Sequence, residues 1–231
     1  MTAIESTLRK LKGGLIVSCQ ALTEEPMHSS FIMGRFALAA WQGGAVGIRA
    51  NGYSDIAEIK KQVKLPVIGI VKKDYADSEV YITPTKKEVD ELLSVNPEII
   101  AVDATLRKRP NGESLSDLVV HIRKRSPETA IMADVADDAD VINAAELGFD
   151  LIGTTLRSYT EETKGIKIPD VEFIKRSVKA VSVPIVAEGG IWEPAELKTV
   201  FSCGVFAAVI GGAITRPQNI TERFVKAISA K

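Results

Sequence analysis

The sequence has little of several residues on which whole classes of function depend. It contains two cysteines and two histidines, too few for a disulfide-stapled framework or a histidine-rich metal site. Cys19 and Cys203 sit far apart in apolar company (LIVSCQ and FSCGVF), which reads as two small buried thiols. No run approaches the roughly 18 consecutive apolar residues of a membrane-spanning helix. The opening MTAIESTLRKLKGG is polar and lacks a signal peptide's apolar stretch, so a cytoplasmic, soluble protein is expected. An excess of one charge is also missing. Lys and Arg number 29 against 30 Asp and Glu, a formal net charge of −1, so nothing in bulk favours nucleic acid or an anionic membrane. A bound anion would have to meet positive charge gathered locally.

What is present is enough apolar material for a sizeable core: 45% of the 231 residues are hydrophobic and 26% charged, which excludes a disordered or collagen-like chain. Short β-branched runs recur at Leu15–Cys19, Ala45–Ile48, Val67–Val71, Ile99–Val102, Ala130–Ala133, Leu151–Gly153, Pro184–Ala187 and Ala207–Ile210. Each is nearly continuous in hydrophobicity, as strands buried on both faces require. Between them lie stretches such as DIAEIKKQV, TKKEVDELLS, LSDLVVHIRKR and PDVEFIKRSVKAV, with apolar positions at helical period. Ser54-Asp55, Thr83-Pro84-Thr85 and Glu193-Pro194 read as caps. Eight such units without a linker predict one domain over 1–231, an α/β chain folded as a compact (β/α)8 TIM barrel of the phosphate-binding type. Such barrels usually need about 250 residues. A doubly wound open sheet is the main rival, disfavoured by the count of eight and by the absence of Gly-x-Gly-x-x-Gly after the first run.

The residues that end the runs are Gln20, Arg49, Lys72, Asp103, Asp134, Thr154, Glu188 and Gly211. At any one position, polarity merely marks a strand end; as a set, a barrel would bring them to the mouth where such folds build their sites. The seventh run ends in AEGG (187–190) and the eighth in VIGGAITRP (209–217). Glycines there let backbone N–H groups approach an anion, the usual phosphate cradle of this fold, with Arg216 beside it. Tight turns also need glycine, so the pairs gain weight only from their position. Lys72, leaving an apolar strand near Arg49, would be partly desolvated, and both effects lower an amine's pKa toward that of a base or a Schiff-base nucleophile. Glu188, just before the glycines, reads as its acid partner or as an ion-pair partner of Arg49 or Lys72. The run Arg107-Lys108-Arg109 reads as a solvated face, with substrate phosphate or a neighbouring subunit as the alternative. His28 reads as an uninvolved loop histidine, Trp41 as helix packing and Trp192 as loop packing.

Together GGLIVSCQAL (13–22), GAVGIRANG (44–52), LPVIGIVKKDY (65–75), AVDATLRKRPNGE (101–113), GTTLRSYT (153–160), VPIVAEGGI (183–191) and GGAITRPQNITERF (211–224) carry a resemblance. Nearly end to end, the chain resembles the N-acetylmannosamine-6-phosphate 2-epimerase family of sialic-acid catabolism. The resemblance implies an isomerase, a carbohydrate-phosphate epimerase that uses no cofactor and no metal. It would interconvert N-acetylmannosamine 6-phosphate and N-acetylglucosamine 6-phosphate by inversion at C2. By the same resemblance Lys72 and Glu188 are the catalytic pair, and Gln20, Arg49, Asp134, Thr155 and Tyr159 contact the sugar. Gly190, Gly211, Gly212 and Arg216 hold its phosphate. The implied partner is a small phosphorylated amino sugar, with a homodimer possible. Two departures stand out: family members usually carry Arg or Lys where Gly190 stands, and Ser-Gly-Tyr where this chain has Arg157-Ser158-Tyr159, so that Arg157 is a candidate for the missing charge.

Two other readings use the same residues. Lys72 could form a Schiff base in a phosphosugar aldolase or lyase, or the barrel could bind a phosphosugar without turning it over. Borohydride trapping with substrate, read as a mass increase on the Lys72 peptide, separates the Schiff base from a simple base.

Overall fold

The computed structural model describes residues 1–229. Its strands are β1 (Leu15–Cys19), β2 (Gly47–Asn51), β3 (Val67–Ile70), β4 (Ile99–Asp103), β5 (Ala130–Asp134), β6 (Leu151–Gly153), β7 (Ile185–Glu188) and β8 (Ala207–Ile210). They pair in parallel in chain order, and β8 pairs with β1, so the sheet closes into a barrel. The expected (β/α)8 fold is therefore the observed one. Helices separate the strands: α1 (Ala3–Leu11), α2 (Ser30–Gln42), α3 (Tyr53–Gln62), α4 (Lys86–Leu93), α5 (Leu115–Arg125), α6 (Asp138–Glu146), α7 (Val171–Ala180), α8 (Pro194–Ser202), α9 (Gly212–Thr215) and α10 (Pro217–Ser229). No helix among the described residues is long and apolar enough to cross a membrane.

The continuous apolar runs are explained by two cores. Ile16, Ile68, Met132, Leu151, Val186 and Val209 fill the barrel interior, while Ile48, Ile100, Ile131, Ile152 and Ile185 face the helices. β2 differs most from expectation. Placed at Ala45–Ile48 by hydrophobicity, it starts at Gly47 and runs through Arg49 to Asn51. A charged residue can sit inside a strand here because the barrel interior supplies carboxylates to pair it.

The caps behave locally as the sequence dictates. Thr85 accepts from Lys87 N–H while Glu88 Oε2 accepts from Thr85 N–H, and Glu196 Oε2 accepts from the N–H groups of Trp192 and Glu193. Ser54-Asp55 does not cap. α3 begins after Gly52, whose φ of 81° a side chain would disfavour, and Asp55 instead accepts from Ser30 Oγ at 2.6 Å, tying α3 to α2.

α1 was legible only as a polar start. It is amphipathic, closed by a capping box between Thr2 and Glu5, and it lays Ile4, Leu8 and Leu11 against the barrel floor. Leu11 is 0% exposed, and a Cβ on Gly47 would stand 2.6 Å from its Cδ2, so β2 needs a glycine there to admit the plug. At the other end α10 leaves α9 with no buried residue. Replacing Leu11 by Ala should lower the stability of the protein by about 2–5 kcal/mol, read as a fall in the urea midpoint without a change in slope.

Candidate active site

The strands deliver their carboxyl ends to one mouth, which holds a cavity of ≈ 370 Å³. Gln20, Arg49, Lys72, Thr155, Tyr159 and Glu188 line it. So do Gly190, Gly211, Gly212 and Arg216 at its other end. Of the strand-end residues expected at the mouth, Asp103, Asp134 and Thr154 do not line the cavity, and Asp134 is the only one of the three that the resemblance places on the sugar. It is fully buried beneath the floor and reaches the cavity through Arg49.

Arg49 is the centre of the arrangement. As the third residue of β2 it points into the barrel and is 1% exposed. Its Nη1 and Nη2 donate to Asp134 Oδ1 and Oδ2 at 3.1 and 2.6 Å, a bidentate pair, and Nη1 lies 3.3 Å from Glu188 Oε2. Burial opposes its charge, but Asp134 and Glu188 outweigh that and hold the guanidinium above its usual pKa.

Lys72 stands two residues beyond β3, its N–H donating to Asn51 Oδ1 at 2.8 Å. Burial, then the like charges of Arg49 and Arg216, push its amine below the ordinary lysine value. Glu188 ends β7 and moves the other way. Burial, reinforced by Asp134, raises its carboxyl above the ordinary glutamate value against the pull of Arg49 and Lys72. The two groups are thus shifted toward each other, the pattern of an acid–base pair. Glu188 is also held firmly. Its N–H donates to Thr154 Oγ1 at 3.0 Å, and the same hydroxyl donates to its carbonyl at 2.9 Å. Gln20 donates through Nε2 to Ser18 Oγ at 2.9 Å, while its Oε1 is buried without a partner among the described residues, an acceptor free for a ligand.

At the other end the backbone approaches closely. Gly190 has φ of 71°, and a Cβ on it would stand 2.5 Å from the carbonyl carbon and oxygen of Ile168. This explains the departure at this position: the backbone leaves no room for a basic side chain. Nor does Arg157 replace that charge. It bonds Asp170 and the Ala136 carbonyl and stacks at 4.6 Å on the Phe173 ring, away from the cavity. The cation at this end is Arg216, which Glu25 holds at 2.8 Å, while Gln218 donates to the same carboxylate at 3.0 Å.

The basic run is not the solvated face it resembles in sequence. Arg109 is buried and donates to the Thr83, Pro84 and Asp103 carbonyls, and Arg107 pairs with Asp103 at 2.7 Å. Only Lys108 of the three is exposed, and none lines the cavity. His28 also stays off the wall, its Nδ1 3.3 Å from the Ala21 carbonyl. Trp41 lies on α2 as expected, but half of it is exposed. Trp192 does more than pack a loop. It lines the cavity against Gly212 and carries Arg223 over its ring at 4.8 Å. Tyr81 and Asn219 line it too and were missed. The signal for Tyr81 was its place in the loop after the third run, two residues before the Thr-Pro-Thr cap. Burial and the charges of Asp134 and Asp103 raise its hydroxyl to about 12, so it stays a neutral donor.

A barrel whose mouth sets an amine and a carboxylic acid around a buried guanidinium, beside a glycine-lined end with one cation, belongs to the class of acid–base enzymes for small anionic substrates. Comparisons narrow that class. Residues 33–230 match the family model described as "Putative N-acetylmannosamine-6-phosphate epimerase". Proteins named "Putative N-acetylmannosamine-6-phosphate 2-epimerase" are similar over nearly their whole length. One from Enterobacter sp. is 57% identical, covering 98% of this chain and 97% of its own, and one from Clostridioides difficile is 56% identical, covering 96% and 98%. A solved structure, the N-acetylmannosamine-6-phosphate 2-epimerase from Clostridium perfringens, superposes with a TM-score of 0.93 at 54% identity, covering 95% of each chain. A thiamine phosphate pyrophosphorylase from Pyrococcus furiosus shares the fold alone, at 19% identity and a TM-score of 0.60. The chain belongs to the N-acetylmannosamine-6-phosphate epimerase family.

Because of the close approach at Ile168, Gly190→Ala should destabilise the protein by about 1–3 kcal/mol and Gly190→Arg by at least as much. Thermal melting checks both, and a Gly190→Arg protein as stable as the parent would refute the steric account.

Proposed function

We propose that this protein interconverts N-acetylmannosamine 6-phosphate and N-acetylglucosamine 6-phosphate by moving a proton off and onto C2. The observation that carries the reading is the pairing of Lys72, shifted down, with Glu188, shifted up, on either side of Arg49 in one cavity. The C2 proton of the open-chain sugar is acidic only because the C1 carbonyl can take up charge as an enolate. Inversion requires removal from one face and return to the other, hence two groups flanking one carbon. The Lys72 amine takes the proton as the C2–H bond breaks, and its electron pair moves into C1–C2 while the carbonyl pair moves onto oxygen. Glu188 delivers its proton to the opposite face, and the C1 carbonyl re-forms. The N–H groups of Arg49 are placed to stabilise the developing oxyanion. Gln20 Oε1 is an acceptor for a sugar hydroxyl or the acetamido N–H, with Tyr159 at the rim. Asp134 acts by holding Arg49. The backbone at Gly190, Gly211 and Gly212, with Arg216, takes the phosphate, whose binding energy holds C2 between the two groups.

Two copies of the chain would associate through α10. Phe224 and Ile228 lie one turn apart on it, 73% and 85% exposed, an apolar stripe suited to self-complementary pairing.

Incubation of N-acetylmannosamine 6-phosphate with the protein in D2O should place deuterium at C2 of the epimer, followed by NMR. Absence of label would overturn the enolate route, and a covalent borohydride adduct at Lys72 would favour the Schiff-base alternative. Lys72→Ala and Glu188→Gln should each lower kcat by about 10²–10⁴-fold. The pH profile of kcat/KM should be a bell. The amine must be neutral and the acid protonated, and the two apparent pKa values belong to the pair, both inside the interval from 4.5 to 10.5 set by the unshifted groups. Sedimentation should find a dimer that Phe224→Asp combined with Ile228→Asp converts to monomer.

A further inference from the structure

Asp134 and Glu188 stand on either side of one hydroxyl. Thr155 Oγ1 lies 2.6 Å from Asp134 Oδ1 and 3.1 Å from Glu188 Oε2. A threonine hydroxyl has one hydrogen and two lone pairs, so it can donate to one of these carboxyl groups and not to both. The shorter contact takes the hydrogen. Asp134 is the member held bidentately by Arg49, and an ionised carboxylate draws an O–H in to about 2.5–2.7 Å. Toward Glu188, Thr155 then presents only lone pairs. The 3.1 Å contact is then a hydrogen bond only if Glu188 supplies the hydrogen.

We propose that Thr155 is a positioning residue that stores the acid proton of the site: it donates to Asp134 and accepts from protonated Glu188. The inference rests on the acid–base reading above and deepens it, by assigning the device that keeps Glu188 loaded. Thr155 is thereby placed behind Glu188 rather than on the sugar. The charged and titratable groups facing Glu188 are Arg49 from β2, Asp134 from β5, Lys72 beyond β3 and Tyr159 from the loop after β6. Arg49 would favour an ionised Glu188, but it is engaged at shorter range by Asp134, at 2.6 Å against 3.3 Å. Burial of Glu188 and the charge of Asp134 favour its acid form, while Arg49, Lys72 and a hydrogen donated by Thr155 favour the ionised one, so the direction of the Thr155–Glu188 bond is what the test reads.

The step balances. The Glu188 O–H turns from Thr155 to the cavity and breaks as the new C2–H bond forms from the enolate's electron pair, and C1=O is restored. Glu188 is left as a carboxylate beside Arg49 Nη1, and Lys72 carries the abstracted proton. Exchange of protons with water returns both groups to their starting states.

The test reads Glu188 directly in the whole protein without substrate. With 13C-labelled glutamate, infrared spectroscopy should find one carboxylic-acid C=O band that persists near neutral pH and is absent from Glu188→Gln. Thr155→Val removes the acceptor of the acid's hydrogen while leaving Arg49 to the ionised form. It should lower the pH at which the band titrates by about one unit, a tenfold change in acid constant, and move the basic limb of the kcat/KM profile with it. Thr155→Ser, which keeps the hydroxyl, should restore both. Were Thr155 instead donating to an ionised Glu188, the Val variant would shift the titration upward. An upward shift, no shift, or a wild-type protein with no acid band would each overturn the proposal. If circular dichroism shows Thr155→Val unfolded, Thr155→Ala is read in its place. Failure of the epimerase reading is separate, because it appears as absent C2 exchange in the wild type whatever the band does.

Discussion

Burying the guanidinium of Arg49 is the constraint around which the site is organised. A charge in the barrel interior would cost several kcal/mol if left unpaired, so carboxylates must converge on it from other strands. Asp134 meets that need with two hydrogen bonds, and its negative charge then acts on everything near it. Glu188 lies beside that pair, and burial first, with Asp134 adding to it, favours its acid form against the pull of Arg49. For Lys72 burial comes first, then the like charges of Arg49 and Arg216, and its neutral form is favoured. Burial in one cavity, with the charges of this ion pair beside it, thus sets opposite protonation preferences in the two groups.

The cavity divides the work between side chains and backbone. At the reacting end the elements are side chains on four different strands, each fixed by a second contact: Thr154 on the main chain of Glu188, Asn51 on that of Lys72 and Ser18 on Gln20. At the anion end the wall is main chain, and approach is limited by what a side chain would strike, as at Gly190. The first arrangement gathers ionisable groups and the second exposes backbone, and the closed barrel keeps the two in fixed register.

The eight strands were legible because burial on both faces makes their sequences continuously apolar, a signal independent of any partner. Legibility fell where one residue's environment depends on distant ones. Arg49 looked like a strand terminator because local hydrophobicity cannot register that Asp134, 85 positions away, will neutralise it. Arg109 looked solvated for the same reason, its partners being carbonyls at Thr83, Pro84 and Asp103. That Lys72 and Glu188 would share one mouth could be read from position alone, because strand ends of a barrel converge. The place of Thr155 between Asp134 and Glu188 could not, since it depends on two distances to one oxygen. Trp192 and Tyr81 escaped because aromatic residues in loops are usually packing, and only the curvature of the mouth turns these two inward.

Glu25 and Arg216 are separated by 191 positions, and their contact exists only once the last βα unit has docked on the loop after β1. During synthesis, Lys72, Arg49, Asp134 and Glu188 emerge well before α9 and α10. A nascent chain that has assembled seven strands therefore lacks the cation at the far end of the cavity. Closure of the sheet's final seam brings Arg216 to the cavity, and a ligand held there would in turn stabilise that seam.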